Sequence, residues 1–194
     1  MFGTSRWSEY DFRVLTLHSL RCAGSTTLAR LAEVAGRAEA DVESELIDLA
    51  VAGLVTFEPG PFGGWGITPA GRAVHATWIA DELAAAGTEA AVAAALDRFL
   101  PLNAELLDLC EAWQLRPDVR VLGLLGDLDR RAGAVCADLT EALPRFGRYR
   151  VRLAEALARV RAGETRYVTD DMASYHVIWF QLHEDLLLTL GIPR

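Results

Sequence analysis

Apolar residues recur at helical spacing from the start of the chain. Phe12, Leu15, Leu17 and Leu20 mark a first helix from about Tyr10 to Arg21, and Gly24 ends it. Ser25 or Thr26 is placed to cap a second helix, which runs through Leu28, Leu31 and Val34 to Gly36. After the turn Gly36-Arg37-Ala38-Glu39 comes a third helix, with Val42, Leu46, Ile47, Leu49 and Ala50 on its inner face and Gly53 as its stop. The period then changes. Leu54-Val55-Thr56-Phe57 reads as a short strand, Glu58 to Gly64 as a turn-rich loop, and Trp65-Gly66-Ile67 as the returning strand. Thr68-Pro69 is a strong helix start, with threonine as N-cap and proline in the first turn.

Everything beyond Ala73 reads as helix. One element extends from Pro69 to about Ala86, and Thr88 caps an Ala-rich helix ending at Leu100. Pro101 is expected to open another, from Leu102 to Leu115, which Pro117 stops. Further helices cover about 118–143, 145–162 and 170–190, the last capped by Asp170 or Asp171. The expected fold class is mainly α: a winged helix-turn-helix over 1–86 with a small β-hairpin wing, then an α-helical ligand-binding or dimerisation domain over 87–194. No stretch of about 18 uncharged apolar residues suggests a membrane span. The opening MFGTSRWSEYDF lacks the cationic head and apolar core of a signal peptide. Cys22, Cys110 and Cys136 are odd in number and far apart, which points to reduced, buried thiols and a cytoplasmic location.

Three stretches carry a resemblance to the MarR-like transcription regulators: Leu28-Ala29-Arg30-Leu31-Ala32-Glu33, Ala52-Gly53-Leu54-Val55, and Trp65-Gly66-Ile67-Thr68-Pro69-Ala70-Gly71-Arg72. The likeness covers about residues 10 to 80 and implies a DNA-binding winged module, commonly in a homodimer. Two later stretches, 103–114 and 174–187, resemble an actinobacterial family described as transcription regulators, with an α-helical C-terminal domain. The chain departs from that family after Trp113-Gln114-Leu115-Arg116, where Pro117 to Gly126 is short and apolar. All 19 basic residues are arginine, which, with abundant Ala, Leu and Gly, suits a GC-rich actinomycete genome.

Charge complicates the DNA-binding expectation. The net charge is −8, and residues 1–80 hold six arginines against nine acids, a net of −3. The segment Ala38 to Glu45 offers Glu39, Asp41, Glu43 and Glu45 and no basic residue, where a recognition helix would meet phosphates. The DNA-contact candidates are therefore Arg30 and Arg37 beside the turn, Ser44 on the helix and Arg72 after the wing. Phe62 and Trp65 are expected to pack on neighbouring helices or on a partner chain. The glycines from Gly60 to Gly66 lack the lysine and the strand-to-helix setting of a phosphate loop.

The last helix holds the other candidates. Tyr175, Trp179, Leu182 and Leu186 form one stripe, and His176, His183 and Leu187 form another. Tyr175, His176, Trp179 and His183, joined by Asn103 and Trp113, are candidates for a small-molecule pocket; as an alternative, each is a core residue with one satisfied hydrogen bond. No catalytic residues, cofactor or metal site is assigned, since His176 and His183 are too far apart on a helix to chelate one ion. Seven arginines lie within twenty-two residues: Arg145, Arg148, Arg150, Arg152, Arg159, Arg161 and Arg166. They read either as an anion site or as a solvated face paired with Glu155 and Glu164. Three functional readings stay open: a ligand-responsive DNA-binding regulator, a winged-helix protein that works through protein partners with its acidic third helix, and an enzyme or ligand carrier of specialised metabolism with its pocket in the helical domain.

Overall fold

The computed structural model describes residues 9–60 and 63–193. The chain divides into two compact units, Met1–Glu82 and Leu83–Arg194.

In the first unit α1 (Glu9–Ala23), α2 (Leu28–Ala35) and α3 (Glu39–Val51) pack on one another, and β1 (Val55–Glu58) pairs antiparallel with β2 (Gly64–Ile67). The helix α4 (Pro69–Ala86) follows the hairpin. The core is built from Leu17 and Leu20 of α1, Leu31 of α2, Val42, Leu46 and Leu49 of α3, and Val55 of β1. In α3 the buried positions obey i, i+4, i+7, the signature of one helix face. The expectation for Ile47 fails on that geometry. It lies outside the buried spacing and is 54% exposed.

Local chemistry fixes the joints. Thr27, not Ser25 or Thr26, caps α2 by accepting from the Arg30 amide at 3.3 Å. Thr26 is instead bound to the hairpin, since its amide and carbonyl exchange hydrogen bonds with Trp65 at 3.0 and 2.8 Å. Gly36 ends α2 at φ +69°, a left-handed conformation that glycine adopts without a Cβ penalty. Thr68 Oγ1 donates to the Gly53 and Leu54 carbonyls at 2.8 and 3.1 Å and accepts from the Gly71 amide at 3.0 Å. A Cβ at Gly71 would lie 2.0 Å from the Leu54 oxygen, so the first turn of α4 seats there only with glycine. Trp65 is half-buried against the core, its ring 5.3 Å from that of Phe57. Phe62 lies outside the described residues.

The second unit is all α: α5 (Glu89–Leu115), α6 (Val119–Ala142), α7 (Gly147–Arg161) and α8 (Tyr175–Thr189), with short 3-10 turns at Pro144–Phe146 and Thr165–Tyr167. Each helix packs on the next, and α8 returns to α5. The expected break at Pro101 does not occur, and α5 runs straight through it. The buried row Phe99, Leu102, Leu106, Leu109 and Trp113 continues across the proline, whose own side is exposed. Core burial along this row thus holds the helix through the proline. The last helix starts later than expected. Ser174 caps it by accepting from the Val177 amide at 3.3 Å, and Asp171 instead closes the preceding turn onto the Ala173 amide at 2.8 Å. No described helix is long and apolar enough to cross a membrane.

Candidate functional site

The outer surface of α3 takes the position of a recognition helix, and its chemistry follows from the core. With Val42, Leu46 and Leu49 turned inward and about 3.6 residues per turn, Ala40, Ser44, Ile47 and Val51 are left on one outward stripe. Val51 is 86% exposed. Glu39 and Glu43 border this stripe on one edge, Asp41 and Asp48 on the other, and all four are exposed. No basic residue occurs anywhere on the helix.

The arginines nearest to α3 are held by its acids. Arg37 pairs with Glu45 and lies 3.6 Å from Asp41, and its guanidinium is stacked 4.2 Å from the Phe12 ring centre. Thr16 donates to the same Glu45, and Arg13 pairs with Asp48 at 2.8 Å. An open groove of about 220 Å³ lies between α1 and α3, lined by Phe12 and Arg13 of α1, Arg37 of the turn, and Asp41, Ser44, Glu45 and Asp48 of α3. Of the other DNA-contact candidates, Arg30 pairs with Glu33 at 2.6 Å along α2. Arg72 is exposed at the base of the wing, where it donates to the Ile67 carbonyl at 3.0 Å.

Inside the same unit is a buried polar chain that periodicity does not reveal. His18 Nδ1 lies 2.9 Å from His75 Nε2 with the rings stacked, and Cys22 Sγ lies 3.5 Å from His18 Nε2. His18 and Cys22 are four apart on α1, a spacing visible in the sequence, but only the fold brings His75 to them.

In the helical unit the pocket candidates are deeply packed. Trp179 Nε1 donates to Asn103 Oδ1 at 3.0 Å, and its ring stacks on Phe99 at 4.6 Å. Tyr175, fully buried, donates to Asp129 Oδ1 at 3.2 Å. Burial first, then the Asp129 charge, pushes the phenol well above its ordinary range, so it stays protonated and holds its hydrogen bond to Asp129. His183 is half-buried with its ring 5.3 Å from Phe99. His176 is half-buried, and burial holds its imidazole below the ordinary value. Trp113 lies in the core. Burial likewise pushes the Cys110 and Cys136 thiols up to about 11, as suits free, unreactive cysteines.

The arginine-rich segment divides: Arg145, Arg148, Arg150 and Arg152 turn inward, against the solvated-face expectation, while Arg159, Arg161 and Arg166 are exposed. Arg145, its side chain 2% exposed, pairs with Asp185 and donates to Thr189 at 2.7 Å. Arg148 reaches the other Asp185 oxygen at 3.0 Å, and the Tyr149 hydroxyl donates to it at 2.9 Å. Arg150 grips Asp129 through two bonds of 2.7 and 2.9 Å, and Arg152 donates to Gln181 at 2.7 Å. Arg159 donates to the Tyr167 hydroxyl at 2.6 Å, while Arg166 pairs with Glu164 and Asp171 at the surface. Asp129, Gln181 and Asp185 are the residues that a reading of the sequence passes over. Their signal is positional: Asp129 follows Leu125 and Leu128 on an otherwise apolar stripe, and Asp185 falls between Leu182 and Leu186.

The first unit is a winged helix, and the chain is a winged-helix protein with an all-α C-terminal unit. Comparison of the chain with protein-family models, with curated proteins and with solved structures gives no match.

Proposed function

We propose that this chain is a regulatory winged-helix protein of the MarR-like kind whose winged unit works through a protein partner. The observation that carries this reading is the outer face of α3, an apolar stripe between two rows of carboxylates. Affinity for DNA comes largely from neutralising phosphates and releasing counterions. A helix with five acids and no base reverses that balance, and the adjoining Arg13 and Arg37 are engaged by its carboxylates. Ile47 and Val51 offer apolar contact that a phosphate backbone cannot use but a protein surface can.

The test is an anisotropy titration of the full chain with duplex DNA from its own upstream region, from about 50 to 200 mM salt. The expected result is no salt-dependent binding at any point. Tight binding whose log affinity falls steeply with log salt would overturn the reading.

A second reading, a homodimeric DNA-binding regulator with a small-molecule sensor in its helical unit, is favoured by Arg72 at the wing base. A steep salt slope that Arg72→Ala reduces by about one would support it.

A further inference from the structure

The α3 surface has features that specify what kind of protein would sit on it. Ala40, Ser44, Ile47 and Val51 repeat at the three-and-four spacing of a helix-packing face, yet nothing within the described residues covers Ile47 or Val51. The face is firmly held, because Val42, Leu46 and Leu49 anchor the helix from behind. Its two acidic edges differ. Asp41 and Asp48 share their charge with Arg37 and Arg13. Among the described residues no ion pair engages Glu39 or Glu43, so that edge carries uncompensated negative charge beside the apolar stripe.

We infer that this face docks an amphipathic helix of a partner protein, apolar along its contact line and rich in Arg or Lys on its flanks. The inference rests on the reading that the winged unit works through a protein, and it adds the chemistry of the partner. The partner lays its apolar line along Ala40, Ile47 and Val51 in the way helices seat in apolar surfaces. Its cations meet Glu39 and Glu43, while the opposite edge, where Arg13 and Arg37 already pair with Asp48, Asp41 and Glu45, takes no further cation. Charge complementarity also selects against a second copy of this chain, which carries a net charge of −8. Buried apolar contact gives the affinity, and the carboxylate rows give orientation and reject acidic helices.

The experiment titrates the full chain against three fluorescent probes at about 0.15 M salt. The first is a helical peptide of about 18 residues with a leucine line and Arg/Lys flanks. The second is the same peptide with Glu in place of every basic residue, and the third is the upstream DNA duplex. The basic peptide is expected to bind at least about tenfold more tightly than the acidic one, a difference of about 1.4 kcal/mol. The double variant Ile47→Gln/Val51→Gln weakens it about tenfold, within the usual range for contact residues at an interface centre. Glu43→Arg/Ser44→Arg shifts preference towards the acidic peptide, a change that loss of folding cannot produce. Leu115→Gln, which alters an exposed leucine of the helical unit, leaves binding unchanged.

Equal affinity for both peptides would overturn the charge chemistry while leaving a protein partner in place. Binding that ignores the Ile47/Val51 change, or no peptide binding at all, would overturn this face as the dock. Duplex that binds and displaces the basic peptide would overturn the underlying protein-partner reading itself.

Discussion

Asp185 has no exposed side-chain surface and lies between the guanidiniums of Arg145 and Arg148, and the Tyr149 and Thr189 hydroxyls also donate to it. Taking one member from such a buried group is costly because the remaining charges were desolvated on the assumption of a counter-ion. Asp185→Ala is expected to destabilise the fold by about 3–5 kcal/mol, read as a shift in the denaturation midpoint. A loss below about 1 kcal/mol would show that the pair behaves as a surface bridge. In the sequence this aspartate is one of an ordinary Glu184-Asp185 pair. What marks it is its place on the stripe of Ile178, Leu182 and Leu186, where a charge is tolerated only with partners. Asn103 and Trp179 illustrate the complementary case: both stand out as candidates in the sequence, and the fold joins them by one hydrogen bond, 76 residues apart.

Among the elements, α5 shows how tertiary packing outweighs a local rule. A proline inside a helix removes one hydrogen bond and crowds the preceding turn, which makes Pro101 read as a boundary. The apolar row that continues across it keeps the helix intact. Pro101→Ala is therefore expected to restore the missing bond without a change of fold and to raise stability by about 1–3 kcal/mol. Calorimetry reads this as a higher unfolding temperature, and an unchanged or lower one would mean that the proline is accommodated without cost. The helix α3 makes the opposite point. Its existence, its stop at Gly53 and the inward Val42, Leu46 and Leu49 are legible in the sequence, but Ile47 belongs to the outside, because a run of apolar letters does not itself say where the buried arc ends.

At the scale of the whole molecule, stability should depend on pH in a way His176 makes visible. Burial holds its imidazole below the ordinary value of 6.5 in the folded chain. As pH falls through about that value, the unfolded chain takes up a proton at this site that the folded chain still refuses, so stability declines on acidification. The decline should be present in wild type between pH 7.5 and 5.5 and smaller in His176→Gln, as denaturation midpoints at the two values would show. An identical decline in both would remove His176 from the balance.

Composition set the molecule's acidity and its all-arginine basicity, and the period of the apolar positions set its order of helices and hairpin. These were legible because hydrophobic spacing, Gly36 and the Thr68-Pro69 start act over one or two turns of chain. The tertiary structure decided which polar groups meet. The seven clustered arginines read in sequence either as an anion site or as a solvated face, yet Arg145 reaches Asp185, 40 residues away, and Arg150 reaches Asp129. It also decided that the acids of α3 would engage Arg13 and Arg37 on one edge, with an apolar, acid-bordered stripe outside. The reason is physical: a backbone's local preferences are written in neighbouring residues, whereas the partner of a buried charge is chosen by the packing of whole helices.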